Sequence, residues 1–128
     1  MKKECKIFII EPERIVGLEL QQQLEKNGYS VFQSHSLADI ETFESSYSSN
    51  LIIVNIDKEW SDNHEEIKKI LNRPWLSAIC ISTDKQKMKE KEYKGLNIIG
   101  VFLKPFDTKE IVSLVDKYNG IGKNHPII

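Results

Sequence analysis

The sequence predicts an α/β chain: one doubly wound parallel sheet of five strands in the order 2-1-3-4-5, with helices on both faces. Three observations predict it. Short β-branched apolar runs recur along the chain, amphipathic stretches alternate with them, and no repeat, low-complexity segment or linker interrupts the alternation. At 128 residues, 40% hydrophobic and 29% charged, the chain has one domain's worth of polypeptide, with its core expected over residues 6–119 and a tail over 120–128.

Ile7–Ile10, Leu51–Val54, Ala78–Ile81 and Ile98–Leu103 are continuously apolar rather than alternating. Strands of a parallel sheet covered by helices on both sides have that character, because neither face meets water. Tyr29–Ser34 alternates and fits an edge. Between the strands, Arg14–Asn27 places Val16, Leu20 and Leu24 on one helical face, with Gly28 following as the C-terminal cap. Ser36 caps a helix through Leu37, Ile40 and Phe43, and Asp62 starts another through Ile67, Ile70 and Leu71. Asp84–Lys94 has only Met88 and Tyr93 to bury and is the loosest expected helix. Asp107 followed by Glu110 is a capping-box-like start for a last helix on Ile111, Leu114 and Val115, closing near Asn119 and Gly120.

Composition excludes several classes of function. Eighteen Lys and Arg against nineteen Asp and Glu give a net charge of −1, so no basic excess exists to grip nucleic acid directly. Cys5 and Cys80 are too few and too far apart for a disulfide framework or a metal knuckle, which implies a reduced, cytoplasmic interior. The first apolar run ends after four residues at Glu11, far short of a signal peptide or a membrane span. His35, His64 and His125 stand singly, without ligand-like spacing, and read as surface or structural residues.

In open sheets of this kind ligands bind beyond the carboxyl ends of the strands. Those ends carry Glu11-Pro12-Glu13, Asn55-Ile56-Asp57, Ser82-Thr83 and Lys104-Pro105-Phe106, which should converge on one crevice. Taken alone, Glu11-Pro12-Glu13 reads as a helix N-terminus and Lys104-Pro105 as a strand end followed by a breaker. Taken together, Leu103-Lys104-Pro105-Phe106, Ser82 and the loop Asn55–Asn63 resemble the receiver domain of bacterial two-component response regulators, over residues 6–119. The resemblance implies a flavodoxin-like fold. It implies that Lys104 binds a phosphoryl oxygen, that the peptide before Pro105 is cis, and that the Ser82 hydroxyl contacts the phosphoryl group. The loop equals the family's Asp-x-x-x-Pro-x-x-Asp-Gly in length, with Glu59 in place of Pro and Asn63 in place of Gly.

The chemistry departs from that pattern where it matters most. Receivers attack a phosphodonor with an aspartate, and the acceptor position here is Asn55, whose amide cannot form an acyl phosphate. Glu11-Pro12 stands where an acidic pair should help hold Mg²⁺, so only a vestigial set remains: Glu11, Asn55 and the backbone of Asp57. No cofactor is expected. Val101 occupies the position of the family's switch aromatic, three residues before Lys104, and Phe102 should face the other way. Asp57 shares a side with Asn55 if the strand continues that far, and is then a displaced acceptor; otherwise it is a solvated loop acid.

The expected function is therefore a receiver-like, non-enzymatic phosphorelay module, independent of phosphorylation and acting through protein contacts. The alternative is a conventional Mg²⁺-dependent aspartyl-phosphate receiver that uses Asp57, or a natural aspartate at position 55, with residual self-phosphorylation and dephosphorylation. A flavin carrier on the same topology needs a glycine- and hydroxyl-rich phosphate loop, and Glu11-Pro12-Glu13-Arg14 is acidic and glycine-free. The family implies a sensor kinase, a regulator or an output protein as partner, and homodimerisation through the face of the fourth helix, fifth strand and fifth helix. That face includes Lys85, Lys87, Lys89, Lys91, Lys94 and Lys109, diluted by Glu90, Glu92 and Glu110. No output domain follows residue 128, so the chain either acts alone or belongs to a longer regulator.

Overall fold

The computed structural model describes residues 5–34, 51–57, 64–73, 76–84 and 97–123. Five parallel strands, β1 (Lys6–Ile10), β2 (Ser30–Ser34), β3 (Leu51–Asn55), β4 (Ser77–Ser82) and β5 (Ile98–Leu103), form one sheet in the order β2-β1-β3-β4-β5. Three described helices accompany them: α1 (Arg14–Lys26), α2 (His64–Leu71) and α3 (Thr108–Lys123). The helices expected from Ser36 and along Lys85–Lys94 lie outside the described residues, as do the loop 58–63 and the lysines at 85–94.

Strand side chains alternate between two apolar layers, as the pleat requires. Ile7, Ile9, Leu51, Ile53, Ile79 and Ile81 face α1 and α3, where Leu20, Leu24, Ile111 and Val115 meet them. Phe8, Ile10, Ile52, Val54, Ala78 and Cys80 face the other side, where α2 contributes Ile70 and Leu71. Both cysteines are free and buried, and burial pushes the Cys80 thiol up to about 12, which leaves it inert at neutral pH. Among the described residues no helix is long and apolar enough to cross a membrane.

α1 ends in a Schellman motif. The Gly28 N–H donates to the Glu25 carbonyl and the Tyr29 N–H to that of Leu24, while Gly28 adopts φ 95° and Leu24 and Tyr29 are both buried. Gly28→Ala is expected to cost about 1 kcal/mol, because a Cβ is disfavoured at positive φ; urea unfolding should show a lower midpoint with an unchanged slope. Beyond the turn, the buried Tyr29 hydroxyl donates to Asp116 of α3 at 2.5 Å, tying the β2 entry to the last helix.

Two expectations need correction. β5 is not buried on both faces: Val101 and Leu103 are each 39% exposed, because the outermost strand has a neighbour on one edge only. It also carries a bulge, Ala78 pairing with Ile98 and Ile79 with Gly100, and at Gly100 a Cβ would meet Leu114 at 2.4 Å. The last helix does not close near Asn119 and Gly120 but runs on to Lys123. A glycine costs a helix about 1 kcal/mol, which lowers its stability without stopping it. The start of α3 is as expected: the Asp107 carboxylate accepts from the Lys109 N–H at 2.9 Å and its carbonyl from the Glu110 N–H at 2.9 Å.

Candidate functional site

The carboxyl ends of β1, β3, β4 and β5 bring Glu11, Asn55, Ser82 and Lys104 to one edge of the sheet. Glu11 sits just past β1 and is 1% exposed. A buried carboxylate requires compensation at both oxygens, and Glu11 has it. Its Oε1 accepts from the Asn55 Nδ2 at 3.0 Å and faces the Lys104 ammonium at 3.0 Å, while its Oε2 accepts from the Glu13 N–H at 2.6 Å.

Asn55, 2% exposed at the end of β3, uses both halves of its amide. Nδ2 donates to Glu11, and Oδ1 accepts from the Asp57 N–H at 3.0 Å in a local two-residue turn. Exchanging the two amide atoms would set oxygen against carboxylate and nitrogen against N–H, so the network fixes the orientation.

Lys104 lies just past β5, its backbone N–H donating to the Ser82 carbonyl at 2.9 Å, and its peptide bond to Pro105 is cis. Its ammonium is shared between Glu11 and Glu13. Burial works against the charge, but the hydrogen bonds to Glu13 and Glu11 and the charges of both carboxylates outweigh it and raise the lysine's pKa above its ordinary value. Glu13 was expected only to begin the following helix; it is the N-cap of α1 without a side-chain cap bond, and its carboxylate turns back to Lys104.

Asp57 has its own partners. β3 stops at Asn55 and the backbone turns helical at Ile56 and Asp57, so the continued strand on which a displaced acceptor depended does not exist. Nor is Asp57 a solvated loop acid. Its Oδ1 accepts from Ser82 Oγ at 2.5 Å, and its Oδ2 accepts from the Thr83 N–H and Thr83 Oγ1, both at 2.9 Å. Ser82 is fully buried, and its hydroxyl oxygen also accepts from the Asp84 N–H at 2.9 Å.

A divalent cation does not fit these donors as they stand. Glu11 is engaged at both oxygens, Asn55 is neutral and paired, and an ammonium already stands against the acids. Among the described residues no group of three His, Cys, Asp or Glu is arranged to hold a metal. Beside Lys104 a groove of about 370 Å³ opens between apolar Val16, Pro105 and Phe106 and polar Glu13, Glu19 and Thr83. On β5, Val101 points outward, while Phe102 packs on the opposite side with the layer that meets α1 and α3.

Reading the strand ends brought Glu11, Asn55, Ser82-Thr83 and Lys104 to one edge, but the bonding of Thr83 to Asp57 and the inward turn of Glu13 were missed. The signal for that bonding is a second hydroxyl and an N–H outside the strand ladder at the first position past a buried strand.

No protein-family description matches the chain, and no curated protein matches it in sequence. Solved structures do match. A response regulator from Thermotoga maritima is 20% identical with a TM-score of 0.77, the match covering 94% of this chain and 99% of that one. The signal receiver domain of an HD domain-containing protein from Pseudomonas fluorescens Pf-5 is 18% identical with a TM-score of 0.78, covering 96% and 98%. HP1043, an orphan response regulator of H. pylori, is 17% identical with a TM-score of 0.74, covering 91% and 98%. A parallel sheet of order 2-1-3-4-5, superposing on these proteins over nearly its whole length, gives this chain the receiver fold of the response regulators.

Proposed function

We propose that this chain is a receiver-fold signalling module that works without an aspartyl phosphate and acts through protein contacts. One observation carries the reading: the side chain at the acceptor position is an amide that donates to Glu11, and the lysine beside it is neutralised by Glu11 and Glu13. Such a site lacks the nucleophile for acyl-phosphate formation, and its cationic and anionic groups satisfy one another.

Its partners are a sensor kinase, a regulator or an output protein, or a second copy of the chain. Val101 and Leu103 on the outermost strand, on the face opposite to α3, offer exposed apolar surface for such a contact. The free, buried cysteines suit a reducing cytoplasm, and the net charge of −1 argues against direct nucleic-acid binding.

The test is incubation of the full chain with Mg²⁺ and a small acyl-phosphate donor, followed by intact mass measurement. The expected result is no added phosphoryl group. A hydroxylamine-labile phosphoprotein would overturn the reading, and its persistence or loss in Asp57→Ala would say whether Asp57 had accepted it.

A further inference from the structure

We propose that the outer face of α1 pairs two copies of this chain in parallel, with Ile15 and Leu18 at the seam and Arg14 of each copy against Glu19 of the other; the proposal deepens the functional reading above, on which it rests for protein contact as the mode of action. Four large apolar side chains are exposed among the described residues: Val101 and Leu103 on β5, and Ile15 and Leu18 on α1. Ile15 is 81% exposed and Leu18 46%. The inner face of α1 is already occupied with the sheet through Gly17, Leu20 and Leu24, so the outer pair adds nothing to this domain's core.

Ile15, Leu18 and Gln22 are separated by three and four residues and are all exposed, so they form one line along the helix. This is the a–d–a spacing of a coiled-coil seam, and a β-branched residue at a with leucine at d favours two parallel strands. Arg14 and Glu19 then hold the flanking g and e positions on opposite sides of the seam, and both are exposed. Neither has an opposite charge three or four residues away on its own helix. Glu19 accepts a long hydrogen bond from the Thr108 hydroxyl at 3.4 Å, a neutral partner that leaves its charge uncompensated. In a parallel twofold pair, position g of one helix meets position e five residues later in the other, so Arg14 faces the other copy's Glu19 on both sides of the seam. An antiparallel pair sets g against g and leaves the two charges on opposite edges. The face is therefore complementary to itself, which commits it to a second copy of this chain. Glu25 stands at the next d position and ends the apolar seam after one heptad, so the association is weak.

Sedimentation equilibrium of the full chain from micromolar to millimolar concentration should show a reversible monomer–dimer equilibrium. Over the same range the ¹⁵N amides of Arg14, Leu18 and Gln22 should shift. Ile15→Glu should weaken the association by about tenfold or more, because two like charges then meet at the seam. Arg14→Glu should weaken it severalfold, and Arg14→Glu/Glu19→Arg, which exchanges the charges, should recover it. All three positions are exposed, so the variants keep the fold, which circular dichroism checks. A chain that stays monomeric, a dimer whose shifts map to Val101 and Leu103 instead, or an exchange that fails to recover what Arg14→Glu loses would overturn the proposal. Its failure is separable from that of the functional reading, which falls on a covalent phosphoryl group and not on the mass of an assembly.

Discussion

Lys104→Met should lower the unfolding free energy by about 3 kcal/mol at neutral pH. The methionine fills much the same volume but leaves the fully buried Glu11 side chain without its counter-charge. Breaking a buried pair by removing one partner costs about 3–5 kcal/mol. The lower end applies because Glu11 keeps its hydrogen bonds from Asn55 and from the Glu13 N–H. Urea unfolding at pH 7 measures the loss, and Glu11→Gln in the Lys104→Met background should recover much of it, since the orphaned charge is then gone. The pH dependence has a definite sign. A lysine whose folded pKa is raised contributes stability that is complete below its unfolded value near 10.5 and disappears as pH rises through the higher folded value. The gap between wild type and Lys104→Met should therefore be flat near neutrality and shrink only above about 10.5. A gap absent at pH 7 would mean that Glu11 needs no counter-charge.

Asn55→Asp should destabilise the chain by about 2 kcal/mol at pH 7. The amide donates to Glu11 Oε1 across 3.0 Å, and a carboxylate in its place sets two buried acids against each other, with the Lys104 ammonium against Glu11 as a cation beside them. Like charges this close hold one proton between them in the folded state, so the folded variant binds more protons than the unfolded chain. Its stability should consequently be greatest at acid pH and fall as pH rises past the ordinary carboxylate range. Added Mg²⁺ should restore part of the loss in the variant and leave wild type unchanged, because only the variant sets a carboxylate at position 55 directly against Glu11 for the ion to bridge. Paired thermal melts across pH and Mg²⁺ concentration test all three expectations. A variant as stable as wild type at pH 7 would show that the Asn55–Glu11 hydrogen bond contributes little.

Much of the site was legible residue by residue, and much of its wiring was not. Asn55 at the end of β3, Glu11 beside Pro12 and Lys104 before Pro105 could be placed at one edge because strand ends in a parallel sheet share a side. What each side chain bonds to could not be read. The short span Glu11–Glu13 gives no reason for Glu13 to turn toward a lysine 91 residues later. That contact exists because β5 lies close enough to the start of α1 for a long side chain to bridge them. Asp57 likewise finds Ser82 and Thr83 only because β3 and β4 are neighbours and the backbone leaves the strand at Ile56.

The core divides in the same way. By itself the sequence determined the five-strand α/β topology, the buried strands β1, β3 and β4 and the glycine-capped end of α1, since each is written in local periodicity and in residues with strong backbone preferences. Tertiary structure alone decided that β5 is exposed on one face and bulged, that α3 runs through Gly120, and that a lysine and an aspartate satisfy the crevice from within. Burial and ion pairing depend on which distant segments become neighbours, and a local pattern of apolar and charged residues does not encode that distance.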